Sequence, residues 1–427
     1  MRARSQRLEM VKPHIAIVTE RFLPAVSGLV TSVRNLAESL ASTGFDVTLI
    51  APSSGETTQW ADGHGIKHIS LGRGWLASPG WFWRPVSRRL LQSALTHIDV
   101  VHLHSPFFAG LTIAKIARSR KIPIVVTAHV VPQNVLTALR IPWAGKYRWA
   151  VRAAWNRIGR AVHLADAVTS PSEYGARLIE KELGRTGVHV VSNGVAIASN
   201  ANSLIGKGKL SDPIRALFVG RLSREKNVEE ILYAVKACRD AQIGICLTVV
   251  GAGPDRSRLA SICRELEIVK FVEFTGALSE HQLNQRFRDS HFFWIAGRFE
   301  LECCAALEAM ACARAVLAAN AGALPTTVAE GQAGRLYEPG AILEIVEHIA
   351  DLKNNPEAYF EMCRGALRSA RTLSLEKTRD RFIEIYVALH SARCGIFQSE
   401  PTGLFPFGGR PVAYEHQALR DEDRQLV

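Results

Sequence analysis

Short β-branched runs alternate with helical patterns along most of this chain. HIAIVT (14–19), DVTLIA (46–51), DVVHLH (99–104), IPIVVTAH (122–129), AVTSPS (167–172) and VHVVSN (188–193) are compact apolar runs, the pattern of parallel strands buried on both faces. Between the first two, VTSVRNLAESLASTG sets Val30, Val33, Leu36, Ala37 and Leu40 at helical spacing and stops at Gly44. Residues 193–213, NGVAIASNANSLIGKGKLSDP, follow neither period and predict a linker. The rhythm then restarts with IRALFVGR, ICLTVVGAG, VKFVEFTG, HFFWIAG, RAVLAAN and GRLYEPG. Alternating strands and helices predict an α/β chain of two Rossmann-like, doubly wound domains. Ligands of such sheets bind beyond the carboxyl ends of the strands, so two facing sheets predict a site in a central cleft.

The expected division is residues 1–195, a linker at 196–213, and a second domain at 214–373. A helix at 374–394 has apolar spacing suited to crossing back to the first domain, and 395–427 reads as a disordered Pro/Gly- and charge-rich tail. A length of 427 residues agrees with two domains, being too long for one ordinary core. Hydrophobic residues at 47% and charged residues at 22% exclude a disordered chain.

Charge changes the picture more than composition does. Residues 1–200 hold 24 Lys/Arg against 11 Asp/Glu, whereas 201–427 hold 28 against 29. Seven of the eight tryptophans also lie in the first half. A basic, Trp-rich half points to an anionic membrane surface or to nucleic acid. PGWFWRPVSRRLL (79–91) and IPWAGKYRWAVRAAWNRIGR (141–160) interleave Trp with Arg as an interfacial segment would, or as a basic helix packed on its own domain would. The same mixture suits single-stranded nucleic acid, but no nucleic-acid motif accompanies it, and that partner is not expected. No run approaches the roughly 18–20 apolar residues of a membrane span. The apolar run before Glu20 is too short for a signal peptide, so a cytoplasmic, peripheral protein is expected. The eight cysteines form no CxxC pair, which argues for reduced thiols and against a zinc or disulfide framework.

Several strand ends carry candidate chemistry. In GRLSREKN (220–227), Arg221 offers a fork and Lys226 a point charge, a combination that suits a diphosphate, although charged turns commonly just face solvent. VVGAGPDR holds Gly251 and Gly253 without the third glycine of a dinucleotide fingerprint, and is a phosphate contact or a tight turn. Gly28 lies between the first strand and helix, where backbone N–H groups would meet a phosphate or where a loop glycine simply precedes a helix. His129 ends a strand at the cleft, as a catalyst or as a structural hydrogen-bonder. In RFELECCAALEAMA (298–311), Glu300 precedes a helix and Glu308 lies within it. Their separation follows helix rise and not two facing walls, so they are not a glycosidase pair. The N–H groups of residues 302–304, which include Cys303 and Cys304, would point out of that helix N-terminus toward an anion; solvated glutamates on a helix are the plainer reading.

Taken together, GRLSREKN, VVGAGP, VEFTG, the E-x7-E of Glu300 and Glu308 followed by AMA, the AANAGALPTTV loop and GRLYEPG resemble, in content and order, the retaining family 4 glycosyltransferases of GT-B fold, over roughly residues 13 to 390. The resemblance implies a nucleotide-sugar donor on the second domain, an acceptor on the first, and no metal or other cofactor. By match to the family pattern, Arg221 and Lys226 would neutralise the donor diphosphate, Glu300 would hold sugar hydroxyls and Glu308 the ribose. Gly28 would approach the phosphate by its backbone, and His129 would face the transferred sugar. TERFLPAVSGLVTSV, HSPFFAG and TAHVVPQN look like the branch that transfers mannose or glucose to bacterial lipids, which implies a hexosyltransferase on the inner membrane face. The chain departs from the family where Phe and Gly give way to Glu302 and Cys303, and at Ala323 and Thr326. A carboxylate beside the donor phosphates would repel them unless it points away. The competing expectations are a weakened homologue that binds a lipid or partner, and an enzyme with a soluble acceptor.

Overall fold

The computed structural model describes residues 12–395 apart from 73–86, 106, 130–131, 133–143, 199, 206–209 and 329–331. The tail from 396 onward, Trp83 with most of 79–91, and the side chains of 141–148 therefore lie outside the described residues.

The first sheet contains β1 (Ile15–Val18), β2 (Val47–Ala51), β3 (Lys67–Ser70), β4 (Val100–Leu103), β5 (Ile124–Thr127), β6 (Ala167–Ser170) and β7 (His189–Val190), in the order β3-β2-β1-β4-β5-β6-β7. The second contains β8 (Ile214–Val219), β9 (Ile245–Val250), β10 (Val272–Gly276), β11 (Phe292–Ile295), β12 (Ala315–Ala319) and β13 (Gly334–Tyr337), in the order β10-β9-β8-β11-β12-β13. All pairings are parallel, and both sheets reverse direction beside their first strand, which is where doubly wound folds open a ligand crevice. Ala16 and Val18 face one core while Ile15 and Ile17 face the other, the alternation of a strand covered on both sides. The apolar pattern missed β3, because an edge strand need bury little: Lys67 is exposed and the other three residues are half-buried.

Helix Gly28–Ser42 begins at Ser27, whose hydroxyl accepts from the Val30 N–H, and its buried stripe is Val30, Val33, Leu36, Ala37 and Leu40. The chain crosses between the sheets twice, at one place. Val195 N–H donates to Leu373 O and Leu375 N–H donates to Val195 O, so the two crossing segments hold each other. Gly194 has φ +76, and a Cβ there would fall 2.7 Å from Thr378 Oγ1, which leaves room for glycine alone. The last helix, Leu375–Cys394, then packs Phe382, Ile385 and Tyr386 into the core under the first sheet.

Candidate active site

In the second domain the site grows from the loops that leave β8 and β11. Lys226 Nζ donates to Glu300 Oε1 at 2.5 Å, and the two side chains are 22% and 9% exposed. Burial alone would lower the Lys226 pKa, but the Glu300 charge and hydrogen bond outweigh it and raise the ammonium above its ordinary value. Glu300 is held from behind by small residues. A Cβ at Gly297 would fall 2.6 Å from Glu300 Oε1, a Cβ at Gly322 (φ +60) would fall 2.9 Å from Glu300 O, and Ala323 N–H donates to that same carbonyl. Gly251 and Gly253 let the β9 loop lie directly on residues 220–222, since a Cβ on either would meet the carbonyl of Gly220 at 2.0 Å or of Leu222 at 2.2 Å. Arg221 sits on that supported loop with an exposed side chain.

Helix Cys304–Ala311 starts at Cys303, and its first turn leaves N–H groups that the helix does not use. Burial pushes the Cys303 thiol up to about 12 and Cys304 well above its usual value, with Glu300, Glu302 and Glu308 adding to the rise in Cys304. Both thiols are therefore protonated at neutral pH and are not nucleophiles. Burial, then Glu280, raises Glu308 to about 7. Glu302 turns to the domain crossing, where its Oε2 accepts the Asn193 N–H at 2.7 Å.

Gly28 and Arg21 of the first domain bear on this surface, and His129 lies at the end of a strand of the first sheet. Gly28 opens its helix against the start of the other: a Cβ on Gly28 would lie 3.3 Å from Cys304 Sγ, so two helix N-termini converge. Arg21, just after β1, is lowered to about 10 by burial and by the charge of Arg221 opposite it. The two guanidinium groups therefore repel each other. His129, at the end of β5, is partly exposed and bonds through Nε2 to His104 Nδ1 at 2.7 Å.

The structure thus joins Lys226 to Glu300 and Gly28 to Cys304, with Cys303 buried beside both carboxylates; among the described residues Glu308 makes no hydrogen bond to the Lys226–Glu300 pair. Sequence reasoning missed Arg21 and His104. Arg21 carries no motif signal, because only folding sets it against Arg221. His104 did carry one: His102 and His104 are two apart at the end of a strand, so they share a face. Among the described residues no three His, Cys, Asp or Glu side chains are placed to hold a metal ion together, and no helix is long and apolar enough to cross a membrane.

Known proteins agree with this architecture. Residues 26–199 match the family described as Glycosyltransferase Family 4, and residues 202–368 match Glycosyl transferases group 1. An alpha-monoglucosyldiacylglycerol synthase of Streptococcus pneumoniae is 24% identical over 80% of each chain. A GDP-mannose-dependent alpha-mannosyltransferase of Corynebacterium glutamicum is 26% identical over 89% of this chain and 90% of its own. The crystal structure of Anabaena Alr3699/HepE in complex with UDP superposes with a TM-score of 0.69 at 16% identity, covering 88% of this chain and all of that one. Two parallel doubly wound sheets, matched domain by domain in this order, make the chain a member of the family 4 and group 1 glycosyltransferases, with the GT-B fold.

Proposed function

We propose that this glycosyltransferase retains anomeric configuration and moves a hexose from a nucleotide-sugar donor to a membrane lipid at an anionic surface. Breaking the anomeric bond leaves negative charge on the nucleoside diphosphate. Arg221, Lys226, and the N–H groups at the start of the Cys304–Ala311 helix and at Gly28 would meet that charge, and preorganised charges act most where charge develops. Glu300 would release Lys226 to the diphosphate and hold sugar hydroxyls, while Glu308 would hold the ribose. The loop of Gly251 and Gly253 would support Arg221, and His129 would face the transferred sugar. Glu300 positions and does not attack, which fits delivery of the acceptor on the face from which the diphosphate leaves. No metal or other cofactor is needed for these steps.

The observation that carries the lipid acceptor is a basic layer on the first domain. No Asp or Glu occurs between Asp99 and Asp166, a stretch with ten Lys/Arg. Helices Arg88–Ala94, Ala109–Ser119 and Ala144–Val162 pack side by side over one face of the first sheet. Arg88, Lys115, Arg152 and Arg160 are exposed there, beside Trp149 at 68% exposure. Such a layer suits the anionic cytoplasmic leaflet at about 1 kcal/mol per basic side chain near the surface. The names of the two relatives above, a glucosyldiacylglycerol synthase and a mannosyltransferase, support a lipid and a hexose.

The test is transfer of labelled sugar from UDP-glucose and from GDP-mannose into the lipid phase of vesicles containing phosphatidylglycerol and diacylglycerol. Label in the lipid phase is expected with one donor. Label found only in soluble acceptors would overturn the lipid reading. Absence of both turnover and thermal shift with every donor would overturn catalysis altogether.

A further inference from the structure

The first domain holds a group of polar side chains that the proposed chemistry does not use. His102 lies between Tyr386, whose hydroxyl is 2.7 Å from its Nδ1, and Thr127, whose hydroxyl is 2.6 Å from its Nε2. The ring of His104 packs on it, with centroids 4.0 Å apart, and reaches on to His129. Burial drives the pKa of His102 and His104 well below its usual value and that of His129 to about 4, so the rings are neutral at neutral pH. Around them, Thr19 and Ser105 pair with each other, and Glu20 accepts the Gly110 N–H at the start of helix Ala109–Ser119.

Between His104 and His129 the ring planes differ by 16° and the centroids lie 4.9 Å apart. With the nitrogens 2.7 Å apart, that is the geometry of an N–H···N bond lying in both ring planes. One proton serves the bond, and it has two places to sit. If it belongs to His129 Nε2, then neutral His104 must carry its own proton on Nε2. That atom is buried and has no hydrogen-bond partner among the described residues. If the proton belongs to His104 Nδ1, the same buried atom is an unprotonated nitrogen. An orphaned buried N–H is the rarer and costlier of the two in proteins.

We propose that His104 is a positioning residue that donates from Nδ1 to His129 Nε2 and thereby fixes His129 as the neutral Nδ1–H tautomer. His129 Nδ1, the nitrogen left over, is then a hydrogen-bond donor toward the ligand, suited to a sugar hydroxyl or ring oxygen and not to accepting a proton from the acceptor alcohol. The catalytic half of this inference rests on His129 facing the transferred sugar; the tautomer does not.

Long-range 1H–15N spectra of the histidine rings in the full chain, assigned with His104→Asn and His129→Gln, read the tautomer directly. A protonated Nδ1 and bare Nε2 on His129 are expected; a protonated Nε2 on His129 would overturn the proposal. Asn and Leu at position 104 then share a branched, uncharged shape and differ in whether they can donate. Asn presents an N–H near the place of Nδ1, and His104→Asn is expected within about threefold of wild-type kcat. Leu cannot donate, and His104→Leu is expected to lower kcat roughly 10- to 100-fold, the loss typical when a partner that orients a functional His is removed, with donor KM moving less. Equal losses in both variants would overturn the positioning role. Wild-type turnover in His129→Ala would instead sink the role given to His129, and the spectra tell that failure from a wrong tautomer.

Discussion

In the C-terminal domain the loops leaving the sheet place opposite charges in contact, Lys226 against Glu300. In the N-terminal domain the corresponding edge places neutral rings in contact, His104 against His129. Both edges belong to sheets that share one order through their first six strands, and both lie at strand C-termini. The outer surfaces differ too, since the first 200 residues carry a surplus of 13 positive charges and the remainder one negative. The fold supplies the crevice and little else; the loops decide whether an edge binds charge or places a neutral donor.

The comparison is most sharply tested at its charged side. Lys226→Ala should lower turnover roughly 100- to 1000-fold, the usual loss when a preorganised charge is removed from a developing anion. It also strands Glu300, which is 7% exposed, and breaking a buried pair by removing one partner costs about 3–5 kcal/mol. Lys226→Ala with Glu300→Ala should recover much of that stability and none of the turnover. Thermal melts and single-turnover assays on all three variants separate the two effects. If the double variant regained turnover, the pair would be structural and the charge argument would fail.

Not all of this was equally legible in the sequence. The strands of the second domain end in motifs of fixed spacing, so Arg221, Lys226, Glu300 and Glu308 stand out in the sequence alone. Their contacts did not: that Lys226 reaches Glu300 depends on β8 and β11 being neighbours, a pairing of residues 74 apart. In the first domain the strands are equally plain, yet the approach of Arg21 to Arg221 and the bond of His104 to His129 are not. A like-charge approach and a shared proton are properties of tertiary distance, and single-chain periodicity does not encode them. Glu302 looked like a repulsive intruder on the donor phosphates. Its carboxylate in fact accepts the Asn193 N–H at the crossing between domains, where the sequence pattern predicts only a linker.

On the outer surface the expected effect is intermediate. Arg152→Ala with Arg160→Ala should weaken partitioning to anionic vesicles about 30-fold, from about 1 kcal/mol for each basic side chain. Arg264→Ala with Lys270→Ala, which removes two exposed charges from the other domain, should change it little. Vesicle sedimentation at fixed ionic strength measures both, and equal losses would erase the distinction between the two surfaces. Across the cleft, Arg21→Ala should raise donor KM about tenfold, the loss of one charged hydrogen bond, with kcat less affected. An unchanged KM would leave Arg221 as the sole guanidinium on that anion.

The smallest effect belongs to the residue that joins the two domains. Burial raises Glu302 to about 7, against hydrogen bonds from Asn193 and Ser192 that pull it down. The unfolded chain gives up that proton near the ordinary carboxylate value, so between there and about pH 7 the folded protein binds more protons than the unfolded one. Stability must therefore fall as pH rises through this window and level off above it. Glu20 and Glu308, each raised to about 7 by burial, add to the same slope. Glu302→Gln keeps an oxygen for the Asn193 N–H and removes one share of the titration. Its melting curve should match wild type near pH 4, where both side chains are neutral, and exceed it by one to a few degrees at pH 8, corresponding to roughly 1–2 kcal/mol. Parallel curves from pH 4 to 8 would mean that Glu302 titrates alike in the folded and unfolded chain, and that burial at the domain crossing does not shift it.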